Sequence, residues 1–174
     1  YVNRLEAKNQ GRDLMAANSY LQQCPEELRR KFLEVYSQID QARLSINALN
    51  TLLESVVPAM GFKRGCLFLL SRKDLKLQPA MRIGDYPLTA YRTFARDQGG
   101  EISAALNSRI PFSRDGIGVD GQPTGHISGA LNHPRHPGVL YLEFNRSGAM
   151  NALQAILYFN AVRRALIDCI GENG

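Results

Sequence analysis

The fold of this chain is decided by residues 28–60, which read LRRKFLEVYSQIDQARLSINALNTLLESVVPAM. Ten small or apolar side chains recur in this stretch at alternating spacings of four and three residues. We call these ten positions the heptad stripe: Leu28, Phe32, Val35, Ile39, Ala42, Ile46, Leu49, Leu53, Val56 and Met60. A single helix cannot bury such a stripe by itself, so the spacing predicts that this segment packs against a partner helix.

One continuous helix over residues 25–60 is the simplest structure that carries the stripe. The run Cys24-Pro25-Glu26-Glu27 suits its start, because proline tolerates the first helical position and the two acids favour the positive end of the helix dipole. Such a helix would be roughly 54 Å long, which exceeds the width of a small domain, so we expect one end to project. Pro58 predicts a kink or an early end.

We therefore predict a homodimer in which two copies of this helix form a coiled coil. Isoleucine at one stripe position and leucine at the other are compatible with a two-stranded coil. The flanking side chains leave the direction of the coil open. The predicted dimer seam consists of Phe32, Val35, Ile39, Ile46 and Leu49.

Length and composition are typical of a globular domain rather than of a disordered or membrane-spanning chain. The 174 residues, 44% of them hydrophobic, suit one domain with an appended helix. No apolar run approaches the roughly 18 residues of a membrane span, and no signal-peptide pattern opens the sequence. We expect no membrane partner. The net charge of +5 comes from scattered basic residues, which does not favour a nucleic-acid-binding surface.

The cysteines and the first residue indicate the compartment and the context of the chain. Cys24, Cys66 and Cys169 are far apart and form no CxxC pair, which predicts reduced thiols in a cytoplasmic protein. The chain begins with Tyr1, and we expect it to belong to a longer polypeptide with an output or signalling domain on its N-terminal side.

The rest of the sequence predicts two β-hairpins and a closing helix, and hence an α+β fold. The predicted strands are residues 66–70 and 77–83, then 126–132 and 139–145. Pro79 marks an edge strand or a bulge. The predicted helices are residues 88–98, 101–107 and 149–170, with a short strand at 110–112 inside a loop over 109–125.

This order of elements is similar to that of a GAF domain, the sensory relative of the PAS fold. The resemblance spans residues 44–170 and begins with a helix ending in Met60-Gly61-Phe62, followed by the first strand pair. It continues in Ala104-Ala105-Leu106-Asn107-Ser108-Arg109-Ile110-Pro111-Phe112 and in Gly138-Val139-Leu140-Tyr141-Leu142-Glu143. The chain also resembles the GAF-like regions that follow HDOD domains in bacterial signalling proteins.

The resemblance implies an antiparallel sheet flanked by long N- and C-terminal helices, with a small-molecule pocket in front and dimerisation through the terminal helices. It divides the chain into a helical lead-in with a projecting dimerisation helix (residues 1–43) and a GAF-like domain (residues 44–174). The Asn-Lys-x-Phe-x-x-x-Asp-Glu motif of cyclic-nucleotide-binding members is absent. Cys66 and Cys169 are not placed like the cysteine that carries the chromophore in bilin-binding members. We therefore predict no cofactor, and we expect any ligand to be an unidentified small molecule.

The segments that border the pocket in the resembling fold carry arginine, tyrosine and acidic side chains. Arginine and tyrosine there would suit an anionic or planar ligand, through bidentate hydrogen bonds and stacking. The candidate ligand-binding residues are Arg82, Tyr86, Arg92, Arg109, Asp115 and His126.

Other motifs give no chemistry of their own. Residues 116–121 match GxGxxG, but Gln122-Pro123-Thr124-Gly125 cannot open the helix that a phosphate site requires, so we expect a loop beside the pocket. The three histidines have no converging carboxylate or cysteine in the sequence, so no metal site is predicted. No Ser/His/Asp or Cys/His grouping points to catalysis.

The sequence thus predicts a regulatory or sensory GAF-like domain of a bacterial signal-transduction protein, which dimerises and binds a small molecule. The alternative is a ligand-free dimerisation or protein-interaction scaffold whose pocket is filled by its own side chains. An enzyme of the same fold ranks third.

Overall fold

The computed structural model describes residues 2–95, 100–145, 148 and 150–172. Contacts divide the chain into two compact units. The helical unit consists of residues up to Met60 together with those from Leu157 onward, and the sheet unit is Gly61–Ile156. The predicted boundary between residues 43 and 44 lies inside the helical unit.

The helices begin and end as follows. In chain order they are α1 (Val2–Ala17), α2 (Glu26–Tyr36), α3 (Ile46–Thr51), α4 (Val57–Ala59), α5 (Glu101–Leu106) and α6 (Ala152–Ile170). A 3-10 helix over Ser19–Gln23 precedes α2, and a π-helical turn over Leu52–Val56 joins α3 to α4. The predicted closing helix is confirmed as α6. Within the described residues, we find no helix with the length and apolar character needed to cross a bilayer.

The predicted continuous helix over residues 25–60 is wrong, because α2 ends at Tyr36 and α3 begins at Ile46. Asp40 and Ser45 hold the intervening segment in a turn. The Asp40 N–H donates to Ser45 Oγ at 2.8 Å, and Asp40 Oδ1 accepts from the Ala42 N–H at 3.1 Å. Such side-chain-to-backbone bonds compete with the helix. Consequently α2 packs against α3 and the π-helical turn, and residues 25–60, all of which are described, do not form one projecting helix.

Backbone hydrogen bonds fix this turn on the end of α6. The Ser45 N–H donates to the Cys169 carbonyl at 2.8 Å, and the Glu172 N–H donates to the Gln41 carbonyl at 3.1 Å. Gly171 has a φ of +76°, and an added Cβ there would lie 2.8 Å from the Gln41 carbonyl oxygen. The helical unit therefore closes through contacts between segments that are distant in sequence.

Most of the predicted dimer seam belongs to the chain's own core. Phe32, Val35, Ile39 and Leu49 are buried within the single chain, whereas 52% of Ile46 is exposed. Because four of the five side chains are already covered, they cannot form the contact surface of a second copy. The assignment of these four buried residues to a coiled-coil seam is therefore wrong, and that of Ile46 stays a prediction.

The π-helical turn explains the buried face that follows the break. Ala48, Leu52, Val56 and Met60 are buried and recur every four residues, which exceeds the 3.6 residues of an α-helical turn. A π-helix has a wider turn, with i→i+5 hydrogen bonds. One π-helical turn thus keeps these side chains on one face of the helix.

A buried polar cluster joins three segments of the helical unit. The Tyr36 hydroxyl donates to Asp168 Oδ2 at 2.6 Å, and Asn18 Nδ2 donates to the Tyr36 hydroxyl and to the Ala161 carbonyl, each at 3.1 Å. Burial raises the pKa of Asp168, although the bond from Tyr36 and the charge of Arg164 act in the opposite direction. Specific partners therefore fix how α2 and α6 pack together.

Within the described residues, the sheet has five strands of six or more residues and a sixth strand of two, all antiparallel. They are β1 (Phe62–Leu70), β2 (Lys76–Ile83), β3 (Phe94–Ala95), β4 (Phe112–Ile117), β5 (Pro123–Leu131) and β6 (Gly138–Phe144), in the order β3-β2-β1-β6-β5-β4. Both predicted hairpins and the α+β class are confirmed. The register shifts where Leu67 and Phe68 face Met81 and Pro79, so the predicted bulge beside Pro79 is confirmed as well.

The segment between the two hairpins departs from the prediction. The predicted helix over 88–98 is wrong, because Leu88–Ala90 is a 3-10 helix and Phe94–Ala95 forms β3; residues 96–98 lie outside the described residues. The helix predicted at 101–107 is confirmed as α5, and the short strand at 110–112 is β4, shifted toward residue 117. Helix α5 covers one face of the sheet, where Ile102 and Ala105 pack with Cys66, Phe68 and Val139.

Candidate functional site

A cavity of about 530 Å³ lies in the sheet unit, on the face of the sheet that α5 covers. Phe68, Tyr91, Glu101, Val119, His126 and Tyr141 are among the residues that line it. We call it the sheet-face cavity. Its volume lies within the range of roughly 300–1,000 Å³ that is common for small-molecule sites.

The strand register brings the polar side chains of this site to one face. On β5 and β6, His126 lies opposite Glu143, and Ser128 lies opposite Tyr141. Because side chains alternate between the faces of a strand and cross-strand partners share a face, all four point to the same side. Cys66 on β1 is paired with Tyr141, which extends this face across three strands.

Glu101, the first residue of α5, forms the first polar group of the cavity wall. Its Oε1 atom lies 3.1 Å from His126 Nδ1 and accepts from the Ser128 hydroxyl at 3.3 Å. Its Oε2 atom lies 3.5 Å from Nε of Arg114, whose side chain is mostly exposed. The carboxylate is thus anchored to β5 on one side and remains a hydrogen-bond acceptor at the cavity.

Glu143, the cross-strand partner of His126, is fully buried next to this wall. Its Oε2 atom accepts from the Tyr141 hydroxyl at 2.7 Å and from the Val119 N–H at 3.0 Å. An added Cβ at Gly118 would overlap Glu143 Oε1, so only glycine lets the backbone approach this closely. The carboxylate therefore holds the turn between β4 and β5 against the sheet.

Arg64, largely shielded from water, is the cation beside Glu143. Its Nη1 atom lies 2.7 Å from Asp120 Oδ2 and 3.9 Å from Glu143 Oε1, and its guanidinium carbon lies 4.6 Å from the centre of the Tyr86 ring. Burial opposes the charge, but Asp120, Glu143 and Asp85 favour it more strongly and raise the pKa of Arg64. The same hydrogen-bonded pair lowers the pKa of Asp120. The turn that carries Asp120 is thus fixed to β1.

Four rings supply the apolar part of the cavity wall. Phe68 and Tyr91 meet edge to face with centroids 6.3 Å apart, and the rings of His126 and Tyr141 lie 5.7 Å apart. The Tyr91 hydroxyl is buried and has no hydrogen-bond partner among the described residues. Burial and the charge of Glu143 raise the pKa of Tyr91, so this hydroxyl keeps its proton and can donate to a bound molecule.

The described side chains of the site offer hydrogen-bonding groups and rings to a bound molecule. Burial raises the pKa of the Cys66 thiol to about 12, so the thiolate needed for nucleophilic attack is not populated at neutral pH. Among the described residues, no group of three or more His, Cys, Asp or Glu side chains is arranged to hold a metal ion. What the cavity offers is an apolar wall with a few fixed polar groups.

The structure brings together some of the candidate ligand-binding residues and separates others. Arg92 and His126 line the sheet-face cavity. Tyr86 stacks on Arg64 beside it. The other three do not line it: Arg82 donates to the Gly84 carbonyl at 3.2 Å, Arg109 is exposed, and Asp115 lies at a separate cavity of about 270 Å³ next to Phe144.

Sequence reasoning missed Arg64, Tyr91, Glu101, Tyr141 and Glu143. The sequence held one signal for Glu143. This residue follows Val139 and Tyr141 at a spacing of two, so its side chain lies on the same face of the strand as theirs. A carboxylate on a buried face needs a partner. Its partners Arg64 and Val119 come from β1 and the β4–β5 turn, and nothing in the local sequence links these segments.

Comparison with known proteins adds one likeness of fold. No protein-family model matches the sequence. No curated protein sequence matches it either. Among solved structures, the chain is similar to the crystal structure of a methyl-accepting chemotaxis protein, residues 122 to 287, with a TM-score of 0.53 and 16% sequence identity over 79% of this chain and 96% of that chain. At this identity the likeness shows a shared fold.

Proposed function

We propose that this chain is a sensory, GAF-like domain of a signal-transduction protein, and that it binds a small molecule in the sheet-face cavity. The observation that carries the proposal is the cavity itself, about 530 Å³ in volume and lined by both rings and buried polar groups. The fold likeness to a chemotaxis protein supports a signalling role. The proposed role is binding rather than catalysis, in the cytoplasm, with a fused output domain as the receiver.

The β4–β5 turn would report whether the cavity is occupied. Gly118 and Val119 line the cavity, and the Val119 N–H is bonded to Glu143. The next residue, Asp120, is paired with Arg64. A ligand that displaces Val119 must therefore perturb a hydrogen bond and an ion pair to two strands. Contacts that differ between the empty and the occupied cavity are what a sensory domain needs, since a ligand shifts populations only through differential contacts.

A pair of tryptophan substitutions tests the proposal. Ala90 lines the cavity and is exposed, so Ala90→Trp should fill the cavity without disturbing the core. Thr89→Trp is the matched control, because Thr89 is its exposed neighbour in the same 3-10 helix. Wild type and both variants would be screened by thermal shift with nucleotides, amino acids, amines and small acids.

A ligand that binds only the folded form raises the melting temperature. We expect at least one compound class to raise Tm in wild type and Thr89→Trp and to have no effect on Ala90→Trp. If no compound shifts wild type, or if Ala90→Trp responds like wild type, ligand sensing through this cavity is refuted.

The alternative function is a protein-interaction or dimerisation scaffold, and exposed apolar side chains on the helical unit favour it. Leu33 and Ile46 are about half exposed although both are large and aliphatic. Exposed apolar patches commonly mark interaction surfaces. Sedimentation of Leu33→Asp and Ile46→Asp tests this role: a wild-type dimer that both variants convert to monomer supports it, and a monomeric wild type removes homodimerisation.

A further inference from the structure

We propose that the sheet-face cavity selects ligands with a cationic head rich in N–H donors on an apolar body, and that it rejects anions such as carboxylates and phosphates. This inference rests on the proposed function, namely that the cavity binds a small molecule. It names the chemistry of that molecule. It also reverses the expectation of an anionic ligand, which depended on three arginines, because Arg82 and Arg109 do not line the cavity and Arg92 lines it with an exposed side chain.

The first step is the hydrogen-bonding character of the wall. The Tyr141 hydroxyl gives its hydrogen to Glu143, so toward the cavity its oxygen can only accept. Glu101 is a carboxylate and only accepts. The Val119 N–H, which could have donated to an anion, is already bonded to Glu143. The Tyr91 hydroxyl is a donor of this wall without a partner, and one neutral donor does not satisfy an anion.

The second step is charge. Glu101, Asp120, Glu143 and Arg64 expose 15, 17, 0 and 12% of their side chains. Three carboxylates and one guanidinium leave a net charge of −2 among these shielded groups. Burial is the largest cause of the raised pKa of the Tyr141 hydroxyl. The nearby carboxylates of Glu143 and Glu101 raise that pKa further. A ligand beside Tyr141 therefore meets a negative potential.

The remaining positive groups do not cancel this potential inside the cavity. Arg114 pairs with Glu101, but its side chain is mostly exposed, so water and salt screen its charge. Arg92 lies at the cavity wall and is exposed. Arg64 is shielded, but its guanidinium already faces Asp120 and Glu143. An anionic head would thus meet carboxylates first and find cations that are engaged or screened.

The third step is the apolar body. Phe68, Tyr91 and Ile102 form the part of the wall without charge. Aromatic rings favour flat apolar groups, and the face of a tyrosine ring attracts a cation. An amidinium or ammonium group attached to a ring or an alkyl chain would satisfy the acceptors and fill this wall.

Three molecules of nearly equal shape test the charge preference directly. Benzamidinium, benzamide and benzoate share one ring and carry a cationic, a neutral and an anionic planar head. Their affinities for the wild-type chain would be measured by ligand-detected NMR and calorimetry. We expect benzamidinium to bind at least about tenfold more tightly than benzamide, and benzoate to bind most weakly, because a charge-assisted hydrogen bond is about twice as strong as a neutral one.

A variant that removes one negative charge shows whether the preference for a cationic ligand arises at Glu101. Glu101→Gln keeps the shape and the acceptor for His126, so the ratio of benzamidinium to benzamide affinity should fall about fivefold. Glu27→Gln is the matched control on an exposed glutamate, and it should leave the ratio unchanged. Binding of benzamidinium should also be lost in Ala90→Trp and kept in Thr89→Trp. Circular dichroism checks that each variant is folded.

The outcomes separate this inference from the proposed function. Equal or tighter binding of benzoate overturns the inference and leaves ligand sensing in place. Benzamidinium binding that survives Ala90→Trp, or a ratio that Glu101→Gln does not change, shows attachment elsewhere and also overturns it. If none of the three binds wild type, the inference fails, and the broader compound screen decides the proposed function separately. Should Glu101→Gln not fold, the wild-type order of affinities still decides the inference.

Discussion

Ile39 and Ile46 provide a matched test of how the heptad stripe is buried. They are seven residues apart, occupy the same position of the repeat and are the same residue type. In a coiled coil both would be covered equally by the partner helix. In the structure Ile39 is 2% exposed and Ile46 is 52% exposed. Replacing each by alanine therefore distinguishes burial within one chain from burial between two chains.

The magnitudes follow from the carbon atoms removed. Alanine lacks three carbons of isoleucine, worth about 0.8 kcal/mol each when fully buried, and a residual cavity brings the expected cost of Ile39→Ala to about 3 kcal/mol. Ile46 loses about half of that transfer term, roughly 1 kcal/mol. Ile46 is also the first residue of α3, where alanine is the better helix former by up to about 0.5 kcal/mol. The free energy of unfolding should therefore fall by roughly the difference of these two terms in Ile46→Ala, which is well under 1 kcal/mol.

Urea denaturation followed by circular dichroism measures both costs. A loss of about 3 kcal/mol lowers the midpoint by about 1–2 M urea for a domain of this size. Each protein would be unfolded at two concentrations about tenfold apart, because a midpoint that rises with concentration reveals an obligate oligomer. Equal losses for Ile39→Ala and Ile46→Ala, together with a concentration-dependent midpoint, would refute the burial described here and restore the coiled coil.

Three further changes are predicted from buried contacts. Arg64→Met should lower the free energy of unfolding by about 3–5 kcal/mol, because Glu143 keeps its buried charge, and adding Glu143→Gln should recover most of the loss in a double-mutant cycle. Gly11→Ala should destabilise the chain despite the better helix propensity of alanine, because the new Cβ overlaps the Tyr36 carbonyl oxygen; a thermal melt shows the sign. The raised pKa of Asp168 means that its stabilising contribution is present below about pH 4 and is lost as pH rises through the folded-state pKa. Asp168→Asn should therefore gain stability over wild type as pH increases from about 4 to 7, and equal pH profiles in urea melts would contradict this.

The hairpins were predictable because their information is local. Short apolar runs, such as Cys66–Leu70, and the turn residues between strands specify β1–β2 and β5–β6, each within one hairpin. The break after Tyr36 was not predictable in the same way. A spacing of threes and fours fits two short helices as well as one long helix, and the deciding bonds run from Asp40 to Ser45 and from Ser45 to Cys169. The second of these joins residues that are distant in sequence.

The candidate site, too, was predictable from the sequence only where the information is local. His126 was predictable, because a polar residue that begins a strand can point to the pocket face of the sheet. Arg82 and Arg109 were proposed because arginine suits anions. The type of a residue alone does not show whether its side chain reaches the cavity. The groups that define the site are instead the carboxylates of Glu101 and Glu143. Their importance depends on burial, which only the packing of α5 and the β4–β5 turn creates.

If the cavity binds a ligand as proposed, Glu143 would connect recognition to a change in structure. Its Oε2 atom receives one hydrogen bond from Tyr141, which lines the cavity, and one from Val119, which belongs to the turn. A cationic head that draws the Tyr141 oxygen toward itself leaves the same carboxylate more dependent on Val119 and Arg64. Because the carboxylate is fully buried, water cannot replace the weakened bond. Under the proposed function, the strength of the turn's attachment would thus depend on whether the cavity is occupied, and the cavity would act as a switch.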